Sequence, residues 1–144
     1  MTYSIVLFVS RKPGLSIAQF RHHWEEIHVP LLKSLTGNSF PLSHARNYVA
    51  RVEDGAGERA GVRTASSKKA DSTAPVVLVG NKEDVDWDGF ATLTFRDELH
   101  FQQFFALVNQ PEAADKIQED EEAFSDPAKF KVVVLGETLN TSLD

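Results

Sequence analysis

The segment after Leu15 repeats apolar residues every three or four positions, which predicts an amphipathic helix with one buried face. Ser16 and Gln19 fit the capping box that starts a helix, and Leu15 and Phe20 can pack against each other as a hydrophobic staple. Gly37 can take the left-handed conformation that ends it. The predicted buried face comprises Ile17, Phe20, Trp24, Ile27, Leu31 and Leu35.

β-Strands are predicted where apolar residues run continuously or alternate with polar ones. The clear candidates are Tyr3–Val9, His44–Val52, Phe90–Phe95 and Phe130–Leu135, and Pro75–Val79 can add a short edge strand. In the third of these, Ala91, Leu93 and Phe95 point to one side and the residues between them to the other.

Two further helical segments are predicted in the second half of the chain. Asp97 can cap the first, whose buried face would hold Phe101, Phe104, Phe105 and Val108, and Pro111 can open the second, which runs to about Glu122. The elements then follow the order strand, helix, strand, strand, helix, strand. This order predicts an α+β, ferredoxin-like fold, with helices on one face of an antiparallel sheet.

The apolar patterning of two strands indicates that the other face of the sheet is covered as well. Tyr3–Val9 and Val132–Leu135 are apolar at positions that point both ways, although the predicted topology leaves one face without helices. We therefore expect a homodimer in which two copies pack sheet to sheet into an α+β barrel.

One domain is expected over residues 1–144, interrupted by a long loop at residues 53–75. The loop is rich in Gly, Ser, Ala and charge and has no sustained period, so little of it can be buried. A lid over a site and a solvated insertion without a role are both compatible with this composition.

Composition excludes several classes of protein. The formal net charge of −6 and the pI near 5.3 argue against nucleic-acid binding, which requires a basic surface. The absence of cysteine rules out disulfides, thiolate metal sites and a cysteine nucleophile. No apolar stretch is long enough to span a membrane and the start of the sequence does not resemble a signal peptide, so the expected location is cytoplasmic.

His28 is the strongest catalytic candidate. It follows Trp24 by one helical turn and precedes Pro30, which has no amide to donate to the carbonyl of Glu26 and should move Val29 out of helical angles. A kink there would open space for a small-molecule pocket with apolar walls. The alternative is that His28 is a core residue with satisfied hydrogen bonds.

A buried histidine stays neutral at physiological pH and can act as a general base. It needs an acid or an oxyanion donor nearby, for which His44, Arg46, Tyr48 and Asp126 are the candidates by position. His44, Arg46 and Tyr48 alternate along one strand, so all three point to the same side of it, either into the cleft or into the interface of the barrel.

The remaining chemistry-bearing residues have simpler interpretations. Trp24, Phe101 and Phe124 belong to the core and can also line a pocket for a flat substrate. The acidic run Glu119–Glu122 is expected to be a solvated helix end, and no metal site is predicted because no histidine cluster accompanies it. His22 and His23 are expected on the exposed side of the first helix, and His100 on the surface.

Taken together, these segments resemble the EthD-like family of dimeric α+β barrel proteins. The resemblance rests on residues 12–16, Phe20 with Trp24, His28–Leu31, Asp88–Ala91, and Asp120–Phe124 with Asp126. It implies a homodimer and a cofactor-independent reaction, similar to that of the fungal dehydratases of polyketide and pigment pathways in this family. In the architecturally similar cyclases a histidine starts the third strand, whereas this chain has Gly89 there.

The expected function is that of a lyase or isomerase, of dehydratase or cyclase type, acting on an aromatic or polyketide-like intermediate with His28 as the base. Two alternatives remain open from the sequence. One is a non-catalytic protein that binds or hands on such a ligand. The other is a cofactorless monooxygenase or other oxidoreductase on the same barrel.

Overall fold

The computed structural model describes residues 1–55 and 72–144. Its four strands are β1 (Tyr3–Val9), β2 (Ser43–Tyr48), β3 (Gly89–Phe95) and β4 (Lys131–Leu135). Its helices are α1 (Ile17–His23), a π-helical turn (Trp24–His28), α2 (Val29–Thr36), α3 (Glu98–Val108) and α4 (Pro111–Phe124). Within the described residues, no helix is long and apolar enough to cross a membrane.

The strands form one antiparallel sheet in the order β2-β3-β1-β4. This order, with the intervening helices, confirms the predicted ferredoxin-like α+β fold. The predicted strand from His44 ends early, at Tyr48, and the prediction of a strand at Pro75–Val79 is wrong. That segment makes an isolated bridge between Arg51 and Pro75, and its last apolar residues, Leu78 and Val79, are exposed.

The core lies between the helices and one face of the sheet. Ile5 and Val9 of β1 and Ala91, Leu93 and Phe95 of β3 are buried there, which confirms the alternation predicted for the third strand. The helices contribute Phe20, Trp24, Leu32, Phe104 and Phe124 to the same cluster. Burial of this many large side chains is the main stabilising contribution to such a fold.

The π-helical turn changes which residues of the first helical segment are buried. The amide of Val29 donates to the carbonyl of Trp24, five residues back, so the turn contains one more residue than an α-helical turn. After it, the buried positions are His28, Leu32 and Thr36, whereas the predicted Ile27 is 44% exposed and Leu31 and Leu35 are only half-buried. Beyond Trp24, each buried position therefore lies one residue later in the sequence than predicted.

Pro30 lies at the start of α2, the position at which a missing amide costs least. Val29 keeps helical angles, with φ −62° and ψ −45°, contrary to the expectation that the proline would move it out of them. The helix accommodates the missing amide of Pro30 through the π-helical turn that precedes α2. This places His28 on the buried face, in line with Phe20 and Trp24.

The opposite face of the sheet carries no helix in the described part of the chain. On it, Val6 pairs with Thr92 and Val133, and Phe8 pairs with Phe90. Val6, Phe8 and Phe90 remain half-buried, and Val133 of β4 is 48% exposed. The apolar residues of β1 and β4 thus leave a surface that the single chain does not cover.

Most of the predicted loop, residues 56–71, for which a lid and a solvated insertion were the two alternatives, lies outside the described residues. Its two ends pack more tightly than its composition indicates. Ala74 is buried, and the amides of Val52 and Glu53 donate to the carbonyls of Ala74 and Ser72.

In the second half of the chain, Asp97 caps α3 through the amide of His100, as predicted. Phe104 is buried, but Phe105 is 54% exposed and does not belong to the buried face. The prediction that His100 lies on the surface is wrong, since only 2% of it is exposed.

Candidate active site

An apolar cavity of about 180 Å³ lies between the helices and the sheet. Three of the predicted pocket residues, Trp24, Phe101 and Phe124, line it, together with His28 and His44. The half-exposed side chains among its lining, Phe105 and Val132, mark where it opens to solvent. Few polar groups face it, which is the usual composition of a small-molecule site.

His28 reaches this cavity with its imidazole oriented by a carboxylate. Its Nδ1 lies 2.7 Å from Oδ2 of Asp120 on α4, and the two side chains are 11% and 12% exposed. Because an ionised carboxylate only accepts, Nδ1 carries the proton of neutral His28 and Nε2 keeps its lone pair. Within the described residues Nε2 has no hydrogen-bond partner, so it is the nitrogen available to a ligand in the cavity.

The electrostatic surroundings keep His28 in the form that a base requires. Burial lowers the pKa of His28 below the usual histidine value of about 6.5, and the nearby Asp120 offsets only part of this effect. The imidazole is therefore neutral at physiological pH, as expected from the sequence. The alternative of a core histidine with both nitrogens satisfied does not fit this geometry.

Asp120 also binds a second histidine. Nε2 of His23 lies 2.8 Å from Oδ1 of Asp120, and the His23 ring stacks on Phe124 at a centroid distance of 4.7 Å. The prediction that His23 is exposed is therefore wrong, whereas His22 is exposed as expected. The two contacts use both oxygens of Asp120 and hold it in place against His28.

The interpretation of the run Glu119–Glu122 as a solvated helix end is correct only for Glu119 and Glu122, which are exposed. Asp120 and Glu121 point inward. The sequence contained a signal for this, because the two residues fall on the same side of the helix as Ile117 and Phe124. Composition concealed it, since charge runs are usually solvated.

Glu121 lines the cavity itself. Burial and the neighbouring Asp120 raise the pKa of Glu121 to about 7. Among the described residues no side chain donates a hydrogen bond to its carboxyl group, and no cation balances its charge. Glu121 was not among the predicted site residues, and near neutral pH its carboxyl group exists in both protonation states.

His44, on β2, presents the complementary imidazole. Its Nδ1 lies 3.0 Å from Nη1 of Arg46, and a guanidinium can only donate, so Nδ1 accepts and the ring proton of neutral His44 is on Nε2. Burial and the charge of Arg46 lower the pKa of His44 to about 4. His44 is thus a neutral hydrogen-bond donor at the cavity.

The other residues predicted on this strand do not line the cavity. Arg46 binds Glu25 through Nε and Nη2, at 2.6 and 3.0 Å, and the hydroxyl of Tyr48 donates to the same carboxylate at 2.5 Å. Burial and the Glu25 carboxylate raise the pKa of Tyr48, which makes it a poor proton donor. The shared face was predicted correctly, but of the three residues only His44 lines the cavity. Arg46 influences the site indirectly, through its contact with Nδ1 of His44.

Asp126 is also outside the cavity. Its Oδ1 accepts from the amide of Ala128 at 3.2 Å and caps the short turn Pro127–Lys129. Its position in the sequence, just before the last strand, had made it a candidate. In the structure Asp126 follows the end of α4, and the cavity lining includes Phe124 and Ser125 but not Asp126.

Gly89 has a steric role at the start of β3. A Cβ atom at this position would lie 2.8 Å from the Trp24 ring and 2.9 Å from the carbonyl oxygen of Asn47, closer than such contacts occur. The indole of Trp24 therefore occupies the space that any side chain at position 89, a histidine included, would need.

No group of three or more histidine, aspartate or glutamate side chains in residues 1–55 and 72–144 is arranged to hold a metal ion. The polar groups of the cavity are instead suited to moving protons. They comprise a basic nitrogen on His28, a neutral donor on His44 and a titratable carboxyl group on Glu121.

The EthD domain matches residues 12–128, which include every one of these groups. The chain belongs to the EthD-domain family. A search of curated proteins found no match.

The fold is shared by solved structures, among them two of EthD-type proteins. An ethyl tert-butyl ether D (EthD) family protein from Bacillus halodurans C-125 superposes with a TM-score of 0.52 at 11% identity, covering 96% of this chain and 100% of that one. An EthD-like protein from Ralstonia eutropha JMP134 gives 0.50 at 10% identity, with 93% and 87% covered. At these identities the likeness extends to the fold alone.

Proposed function

We propose that this EthD-domain protein is a lyase or isomerase of dehydratase or cyclase type, acting by proton transfer on an aromatic or polyketide-like carbonyl compound. The observation that supports it is the Asp120–His28 pair at an apolar cavity. A carboxylate on Nδ1 fixes the tautomer and orientation of an imidazole, so that Nε2 can remove a proton, as in catalytic triads.

His44 provides the second element of this chemistry. Removing a proton next to a carbonyl group places negative charge on the carbonyl oxygen, and a neutral N–H donor in a water-poor site stabilises that charge. A neutral imidazole can serve in this way because its pKa is too low for it to be protonated first. His28 and His44 then act on the carbon and the oxygen of the same substrate group.

An apolar cavity is equally compatible with a protein that binds such a ligand without converting it. Replacing His28 with Gln separates the two functions. For the enzyme we expect turnover to fall at least about a hundredfold, the lower range for a positioned general base. For a binding protein, the wild type would show no turnover, and His28→Gln would change the ligand affinity little. The exposed His22, replaced by Gln, is the matched control.

We also propose that two copies pack through the helix-free face of the sheet. Val133 lies on that face beside Val6, whereas Val134 lies on the helix side. Because an unpaired carboxylate is costly to bury, Val133→Asp should yield a monomer by light scattering, and Val134→Asp, a residue of similar exposure, should remain dimeric. A dimeric Val133→Asp variant would rule out this interface. Val132 lines the cavity, so Val132→Asp tests the site and not the dimer.

A further inference from the structure

We propose that Glu121 is the proton donor of the site, and that the substrate is an uncharged, single-ring β-hydroxy ketone that the protein dehydrates. This inference rests on the proposed function, because it assigns the partner of His28 and narrows the reaction class to dehydration.

The geometry gives different roles to the two inward-pointing carboxylates of α4, Asp120 and Glu121. Asp120 is fully engaged, with one oxygen on each of two histidines. Glu121, the next residue, lines the cavity, and its carboxyl group has no hydrogen-bond partner among the described residues. One carboxylate therefore orients the base, and the other is left facing the ligand.

His28, His44 and Glu121 together account for every proton transfer that the dehydration requires. His28 Nε2 takes a proton from the carbon next to the carbonyl group, and electrons move onto the oxygen, which accepts a hydrogen bond from His44. As the carbonyl re-forms, the bond between the β-carbon and its hydroxyl breaks, and the Glu121 proton leaves with that hydroxyl as water. Transfer of the proton from His28 back to the Glu121 carboxylate restores both groups.

The cavity limits the size and charge of the substrate group that it can enclose. A buried apolar cavity of about 150 Å³ is known to hold a benzene ring, so the 180 Å³ here fits a six-membered ring with small substituents. No lysine or arginine among the described residues lines it, and a carboxylate substrate would meet Glu121 without a balancing cation. An uncharged ring satisfies both limits.

Two ketones test the role of Glu121, with formation of the conjugated enone followed by ultraviolet absorbance. 3-Hydroxycyclohexanone must lose hydroxide, which needs a proton, whereas 3-acetoxycyclohexanone loses acetate, which does not. We expect Glu121→Gln to lower kcat/KM at least about a hundredfold for the hydroxy ketone and to change it little for the acetoxy ketone. Glu121→Asp, which keeps the acid, should recover part of the loss.

The controls distinguish this proposal from the function on which it rests. His28→Gln should impair both ketones, and the exposed Glu122→Gln neither. Equal losses on both ketones in Glu121→Gln would show that Glu121 is not the donor, while leaving His28 as the base. Full activity in His28→Gln would overturn the proposed function itself. Failure of the wild type to convert either ketone would overturn the substrate class.

Discussion

His28 and His100 are both buried histidines, but their surroundings give them different properties. Both nitrogens of His100 bind the backbone, since Nδ1 accepts from the amide of Arg96 at 3.0 Å and Nε2 lies 3.1 Å from the carbonyl oxygens of Ser39 and Phe40. Among the described residues, His28 has a partner for only one ring nitrogen, and the other is available to the cavity. Burial alone therefore does not identify a catalytic histidine. The difference lies in whether one ring nitrogen is left without a protein partner.

The largest expected effect is on stability. His100→Ala removes the side-chain partner of three backbone groups and opens a void beside Phe95, so the free energy of unfolding should fall by about 3 kcal/mol. Activity per folded molecule should stay near normal. His28→Ala should show the reverse, a smaller change in melting temperature and a loss of turnover. Measuring both quantities on each variant checks the comparison, and a destabilised but fully active His28→Ala would end the catalytic assignment.

The orientation of His28 by Asp120 can be tested next. In Asp120→Asn the side-chain amide can donate to Nδ1 of His28. This favours the tautomer that carries its proton on Nε2, so the nitrogen facing the cavity has no lone pair with which to accept a proton. We expect kcat to fall about a hundredfold or more. The exposed Asp115 on the same helix, replaced by Asn, provides the control and should be fully active. Normal kcat in Asp120→Asn would mean that the contact is structural only.

The pH dependence of turnover sharpens the assignment of the base. Since burial lowers the pKa of His28, the basic form should already predominate below pH 6.5, and kcat/KM should rise with pH through one ionisation beneath that value. If Glu121 is the donor, kcat/KM should fall again near pH 7 as Glu121 loses its proton. Glu121→Gln should then lack the falling limb. An ionisation above pH 6.5 on the rising limb would contradict an apolar setting for His28.

The smallest expected effect is on the melting temperature, because burial of the Glu121 carboxylate destabilises the folded state at high pH. Its pKa is raised from 4.5 in the unfolded chain to about 7 in the folded one, so the folded state holds the proton more tightly and loses stability as pH rises through this window. Glu121→Gln should raise the melting temperature at pH 8 and leave it nearly unchanged at pH 4. Glu122→Gln should have no such pH-dependent effect. A melting temperature for Glu121→Gln that is unchanged at pH 8 would indicate a solvated carboxylate.

Local patterning determined most of the fold. The capping box at Ser16 and Gln19, the cap at Asp97 and the alternation along β3 are interactions between residues close in sequence, and each predicted its element correctly. The order of those elements then determined the ferredoxin-like topology. His28 was also found in this way, because helical periodicity places it on the same side as Trp24. Strand periodicity grouped His44 with Arg46 and Tyr48, but it left open whether they face the cavity or a dimer interface.

The tertiary structure alone decided how these residues combine. The π-helical turn shifts the buried face by one residue, and no local rule indicates where an extra residue will be accommodated. The partner of His28 lies 92 positions away on another helix, in a run whose charge indicated exposure. Conversely, Arg46, Tyr48 and His100 are satisfied by distant groups. Periodicity gives the direction in which a side chain points, whereas its partners depend on packing between elements that are remote in sequence.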